Sequence, residues 1–186
     1  MSLPRPWTVV ETQDVQDCHV FRVQRTLARA PGGGAAHPFW RIEADPWVNV
    51  VPVTAAGEIV MVRQWRHGAR EVTLEIPGGI VDPGETPAAA GERELREETG
   101  YGGGVWRPVG WANPNPALFA NRVHTYWAEG VERLGEIANH GHEETVVELV
   151  PVADLDRRLR AGEIRHALVV AALLWWRLHA GAGGPA

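Results

Sequence analysis

At 186 residues and 20.4 kDa, with 45% apolar side chains, the chain has enough material for one well-cored soluble domain and an appendage, and too little for two full domains. A net charge of −5 and a pI near 5.9 provide no basic face, so neither a nucleic acid nor a membrane surface is an expected partner. All 18 basic residues are arginine, which excludes a Walker-type phosphate lysine and a Schiff-base lysine and leaves arginine to clamp any phosphate.

Met1 to Pro6 lacks a basic stretch followed by an apolar core, so no secretory leader is expected. Cys18 to Leu27 and Phe39 to Ala44 alternate loosely around the Gly/Pro-rich stretch Ala30 to Pro38, the pattern of a long hairpin. Trp47 to Val53 and Glu58 to Gln64 form a second strand pair across Ala55-Ala56-Gly57, and Glu71 to Ile76 is a further strand. Thr86 is a good N-cap, Pro87 suits the first helical position and Gly100 supplies the stop, so a helix is predicted over Pro87 to Thr99. Gly102 to Gly104 reads as a connector. Val105 to Trp111 and Arg122 to Ala128 read as strands on either side of the irregular Asn113-Pro-Asn-Pro stretch, followed by a strand over Thr145 to Val150 and helices over Val152 to Ala161 and Ile164 to Ala180. The longest apolar run, Ala167 to Trp176, is ten residues, too short to cross a bilayer. Strands interleaved with helices make an α/β protein with a mixed sheet covered on both faces. The predicted organisation is a small β appendage over residues 1–45, a main domain over 46–180 and a tail over 181–186.

Cys18 is the only cysteine and Ser2 the only serine. An internal disulfide, a cysteine-rich zinc site and a covalent acyl mechanism are therefore excluded, and a reducing cytoplasm is the expected compartment.

The predicted helix carries Glu94, Glu97 and Glu98 at i, i+3 and i+4, three carboxylates on one narrow face. Each Glu94 pairing costs about 0.2 to 0.5 kcal/mol by repulsion, and Glu97 and Glu98 lie at the negative end of the helix dipole. A divalent cation reverses both penalties. The competing reading is a solvated acidic face with ordinary Glu92–Arg96 and Arg93–Glu97 pairs.

The surrounding spacing decides between them. Gly79, five residues, Glu85, seven residues, then Arg93-Glu94-Leu95-Arg96-Glu97-Glu98-Thr99-Gly100 resembles the Nudix box of the Nudix hydrolase superfamily. Tyr101, where a bulky aliphatic residue is usual, is the one departure, at a packing position. The resemblance implies an α/β/α sandwich and hydrolysis of a pyrophosphate linkage in a nucleoside diphosphate joined to another group, with Mg²⁺ or Mn²⁺ as cofactor. It also implies Glu94, Glu97 and Glu98 as metal ligands, helped by a backbone carbonyl of Gly78 or Gly79, and Glu85 paired with Arg93 to hold the loop against the helix. Oxygen ligands of this kind suit Mg²⁺, which shares its shell between carboxylates and substrate phosphates.

Within the superfamily the chain is most similar in pattern to the ADP-ribose pyrophosphatase branch. Arg63-Gln-Trp-Arg66-His67-Gly68 and Thr73-Leu-Glu75-Ile-Pro77-Gly78-Gly79 carry that likeness. It implies Arg66 as a diphosphate ligand, a surface ion pair being the alternative, and an N-terminal appendage that builds a homodimer. Glu75 reads as a brace. Trp40, with Phe39 and Trp7, is a candidate stacking platform for the base. The general base in this branch lies on a loop beyond the box, which points to Glu143 or Glu144 in Asn139-His-Gly-His-Glu-Glu, with Glu97 or Glu98 of the box as the alternative. His140 and His142 are either further metal ligands or exposed loop residues. The expected substrate is ADP-ribose or a related nucleotide sugar. A silent nucleotide-sensing module and a hydrolase of dinucleoside polyphosphates or modified nucleoside triphosphates are the other readings.

Overall fold

A computed structural model describes residues 3–141 and 144–181, which divide into two compact units. The first comprises residues 1–45 with 113–122, and the second residues 46–112 with 123–186.

In the first unit, strands β1 (Thr8–Asp17), β2 (Arg22–Arg29) and β3 (Ala36–Glu43) form an antiparallel sheet in that order. The hairpin of β2 and β3 follows the sequence pattern, but β1 does not announce itself. Register shifts between Val9 and Glu11 and between Asp14 and Gln16 break its period-two alternation. Residues 113–122 join this unit through the backbone of Ile42, whose N–H donates to the Leu118 carbonyl and whose carbonyl accepts from Ala120. The Asn121 amide donates to the Asp45 carbonyl at 3.0 Å.

The second unit is an α/β/α sandwich. Its mixed sheet contains β4 (Trp47–Thr54), β5 (Glu58–Arg66), β6 (Glu71–Glu75), β7 (Gly78–Ile80), β8 (Tyr101–Gly102), β9 (Val105–Ala112), β10 (Val123–Arg133) and β11 (Thr145–Pro151). The main order is β11-β5-β4-β10-β8, with β6 on β5, β7 on β4 and β9 on β10; β10 and β4 run parallel. Val48 to Pro52 in β4 are all buried, as a central strand covered on both faces requires. Helix α1 (Pro87–Thr99) packs Leu95 onto Val50, Val60, Ala128 and Val131. Across the sheet, helix α3 (Ala167–Gly181) sets Val169, Ala172, Leu173 and Trp176 against Val51, Ile59, Met61 and Leu74. Between β11 and α3 lie a 3₁₀ turn (Val152–Asp154) and the short helix α2 (Leu155–Arg160).

Other elements also depart from the sequence expectation. Strand β7 is hidden in Gly78-Gly79-Ile80, a segment that composition assigns to a loop; it pairs with Trp47, Val48 and Asn49. Strand β10 runs on to Arg133 because Gly130, at φ +78°, carries it through a bulge at Glu129–Val131. Helix α3 begins at Ala167 rather than Ile164, and Ile164 is buried as an anchor ahead of it. Among the described residues, no helix is long and apolar enough to cross a membrane.

Candidate active site

Helix α1 is built as its sequence demands. The Thr86 hydroxyl accepts from the Ala89 N–H at 3.2 Å, Pro87 opens the helix, and Gly100 adopts the left-handed conformation with its N–H on the Arg96 carbonyl. Gly91 lets the helix approach the sheet closely, since a Cβ there would lie 3.1 Å from Val50 and 3.2 Å from Trp106. That contact turns the Glu94/Glu97/Glu98 face toward β7 and the loop before the helix.

Arg93 organises the charge. Its guanidinium donates to both carboxylate oxygens of Glu85, at 3.1 and 3.0 Å, to the Ile80 carbonyl at 3.0 Å, to Glu94 at 2.8 Å and to Glu97 at 3.3 Å. One cation thus ties the loop to the helix and offsets the repulsion along the acidic face. The Arg93 hydrogen bond holds the Glu85 carboxyl below the usual carboxylate range, and Glu85, with Glu94, raises Arg93 above its ordinary value.

The three helix carboxylates have separate surroundings. Glu98, only 3% exposed, accepts from the Gly78 N–H at 3.1 Å. Glu94 lies over Gly79, where a Cβ would stand 2.2 Å from its carboxylate oxygen. Glu97 meets the His140 imidazole at 3.0 Å through its other oxygen. Among the described residues, no three carboxylate, imidazole or thiol side chains stand close enough together to hold one ion as they lie. The donor set nevertheless suits a hard divalent cation: all three groups are carboxylates, the loop backbone leaves no side chain between β7 and Glu94, and Arg93 supplies the balancing charge.

The far end of the helix is closed by residues 134–138 and by Thr145 at the start of β11. The Ala138 N–H donates to the Glu97 carbonyl at 2.8 Å, and the Thr145 hydroxyl donates to the Glu98 carbonyl at 2.8 Å. Gly100 receives the Leu134 and Gly135 N–H groups on its own carbonyl. Carbonyls that a helix leaves unpaired at its C-terminus are satisfied here by a segment more than thirty residues downstream in sequence.

At the sheet end, Arg66 grips Glu75 with two hydrogen bonds of 2.9 Å, and the Thr73 hydroxyl adds a third at 2.5 Å. Burial alone would push the Glu75 carboxyl up, but Arg66 and Thr73 outweigh it and hold it below the ordinary range. Glu75 is 2% exposed, whereas the Arg66 side chain retains 40% exposure.

Of the base candidates, Glu144 is exposed and Glu143 lies outside the described residues, as does His142. Trp40 stands on β3 of the first unit with half its surface exposed. Two residues that sequence reasoning passed over are Thr145 and Asn139, joined by a 2.9 Å hydrogen bond; a threonine opening an apolar strand gives no local signal of a partner on a distant helix.

A family model for the NUDIX domain matches residues 45–173 of the chain. An ADP-ribose pyrophosphatase of Mycobacterium tuberculosis is 32% identical over 158 residues, covering 83% of this chain and 75% of the relative. An ADP-ribose pyrophosphatase of Bacillus subtilis is 31% identical over 132 residues, 70% of this chain and 71% of the relative. Among solved structures, a crystal structure of an ADP compounds hydrolase superposes with a TM-score of 0.86 at 21% identity, over 99% of each chain, a likeness of fold.

Proposed function

We propose that this chain, which belongs to the Nudix family and is a Nudix hydrolase, cleaves the pyrophosphate bond of ADP-ribose or a related nucleotide sugar with Mg²⁺ as its cofactor. The observation that carries the reading is the Arg93 knot, which joins Glu85, Glu94 and Glu97 and holds the loop against the carboxylate face of α1. Two relatives spanning most of the chain, both ADP-ribose pyrophosphatases, favour the substrate class.

Glu94, Glu97 and Glu98 would hold the metal, with a carbonyl of Gly78 or Gly79 completing the shell. An Mg²⁺ ion held there would supply positive charge to offset the charge that builds up on a phosphoryl oxygen and to acidify the attacking water. A carboxylate on the Glu143–Glu144 segment takes the proton of the attacking water, whose oxygen forms the new bond to phosphorus. The bridging P–O bond breaks, leaving a nucleoside monophosphate and a sugar phosphate. Arg93 and Glu85 keep the loop backbone fixed beneath Glu94. Arg66, its fork already set by buried Glu75, presents its exposed side to the diphosphate.

Residues 1–45 act as the dimerisation element of a homodimer, and Trp40 is the stacking candidate for the base. The first unit exposes Trp7, Val9, Val10, Val15, Phe39 and Trp40, the apolar content an isologous contact uses. The acidic net charge and lone cysteine accord with a cytoplasmic enzyme of small nucleotides.

Assaying phosphomonoester release across nucleotide sugars, dinucleoside polyphosphates and modified triphosphates, with Mg²⁺ and with Mn²⁺, tests the reading. Preferred turnover of ADP-ribose supports it. Tight binding of a nucleotide with no turnover of any panel member would replace it with a sensing module.

A further inference from the structure

The acidic helix poses a problem beyond its metal: what keeps the last turn of α1 in place when Glu97 and Glu98 add negative charge to an already negative helix end? A helix terminus leaves its final carbonyls unpaired, and ordinary solutions are a glycine cap or a basic side chain. Gly100 satisfies only the Arg96 carbonyl. The Glu98 carbonyl is taken by a side chain, the hydroxyl of Thr145 at 2.8 Å.

Thr145 is the first residue of β11 and is 6% exposed. A buried hydroxyl is costly unless both its donor and its acceptor capacity find partners. Here the proton goes to the Glu98 carbonyl, and the oxygen accepts from the Asn139 amide at 2.9 Å. In the sheet, Thr145 stands opposite Gln64 of β5, and Gln64 stands opposite Thr73 of β6, whose hydroxyl bonds Glu75. A polar row therefore crosses three strands, from the Glu75–Arg66 pair to the helix end that carries Glu98. Valine matches threonine in shape but lacks the hydroxyl, so shape alone does not account for threonine at this position.

We propose that Thr145 is a positioning residue: through the Glu98 carbonyl and Asn139 it locks the carboxylate-bearing turn of α1 to the start of β11, next to Glu144. The role rests on the hydrolase reading above, since it acts through Glu98 and the segment assigned to proton transfer. Losing the hydroxyl removes that bond to the Glu98 carbonyl and frees the last turn to shift relative to Gly78, whose N–H bonds the Glu98 carboxylate.

The experiment compares Thr145→Val, Thr145→Ser and the parent protein in three measurements: turnover of ADP-ribose, Mg²⁺ affinity by calorimetry without nucleotide, and amide exchange at Ala138 and Gly78. Thr145→Val is expected to lower kcat by about tenfold to a hundredfold with KM within about twofold, the cost of misplaced reacting groups. It should also weaken Mg²⁺ binding severalfold and speed exchange at both amides, while Thr145→Ser restores all three. Unchanged Mg²⁺ affinity and exchange, or a lowered melting temperature with kcat per folded molecule intact, would overturn the proposal. If Thr145→Val does not fold, Asn139→Ala, which removes only the second bond, should show the same three changes in weaker form; parent-like behaviour of Asn139→Ala overturns it equally. Absence of turnover in the parent protein would strike the hydrolase reading, and the magnesium and exchange measurements would still decide whether Thr145 fixes the helix end.

Discussion

Arg93 holds both carboxylate oxygens of Glu85 while its remaining nitrogen reaches Glu94 and Glu97 at 2.8 and 3.3 Å. Replacing it with leucine removes the cation that Glu85, Glu94 and Glu97 share. Arg93→Leu should lose about 1–2 kcal/mol of stability in urea unfolding and most of the activity. Arg93→Lys should recover little of either, because an ammonium cannot reproduce a planar fork that serves Glu85 on one side and the helix on the other. Full recovery by lysine would show that only charge matters at this position.

Glu98 is buried, and its carboxylate accepts from the Gly78 N–H. Glu98→Gln preserves shape and hydrogen bonding while removing the charge. The expected result is a kcat at least about a hundredfold lower with a near-parental circular dichroism spectrum. Turnover within a fewfold of the parent would remove Glu98 from the metal site.

Adjacent glycines separate folding from function. A Cβ on Gly78 would lie 2.3 Å from the Val48 carbonyl oxygen, a backbone atom of a central strand, whereas one on Gly79 would meet the movable end of Glu94. Gly78→Ala should therefore destabilise the protein by about 1–3 kcal/mol. Gly79→Ala should keep the melting temperature and displace the Glu94 carboxylate, weakening Mg²⁺ binding and turnover. Equal thermal losses in the two variants would contradict this division.

Acid sensitivity follows from Glu75 and Glu85, both held below the carboxylate value of 4.5 in the folded protein. The unfolded chain binds protons at these groups more readily, so their contribution is complete above about pH 4.5 and disappears as pH falls through the lower folded values. Glu75→Gln should flatten the fall of the urea midpoint between about pH 5 and pH 3. Arg66, whose side chain keeps 40% exposure, can then turn to solvent rather than remain buried without a partner. An unchanged slope would mean that other carboxylates govern acid unfolding.

The two base candidates are separable by kinetics. Glu143→Gln and Glu144→Gln should differ, one lowering kcat by about a hundredfold or more and removing the acidic limb of its pH profile, the other having a mild effect. Equal mild losses would return the role to Glu97 or Glu98.

Much of this protein is legible in one dimension because its signals are local. Thr86, Pro87 and Gly100 delimit α1 through bonds spanning three or four residues, and helical periodicity alone puts Glu94, Glu97 and Glu98 on one face. The buried run in β4 and the apolar stretch of α3 likewise declare a sheet covered on both sides. Strand β7 escapes because its residues are chosen for close approach to Val48 and Glu94 rather than for strand propensity. Strand β1 escapes because its bulges erase the alternation.

Spacing along α1 by itself determined that Glu94, Glu97 and Glu98 share one side of the helix, and the spacing of Gly79, Glu85 and Arg93 around them, through its resemblance to the Nudix box, pointed to the chemistry. The occupant of each carboxylate was decided by tertiary structure: Arg93 between Glu94 and Glu97, the Gly78 N–H on Glu98, His140 on Glu97 and the Thr145 hydroxyl behind Glu98. Of these, the Gly78, His140 and Thr145 partners come from segments twenty to forty-seven residues away. Helical periodicity extends only a turn or two along the chain, and it takes the closing of the sheet to bring groups so distant in sequence within hydrogen-bonding reach.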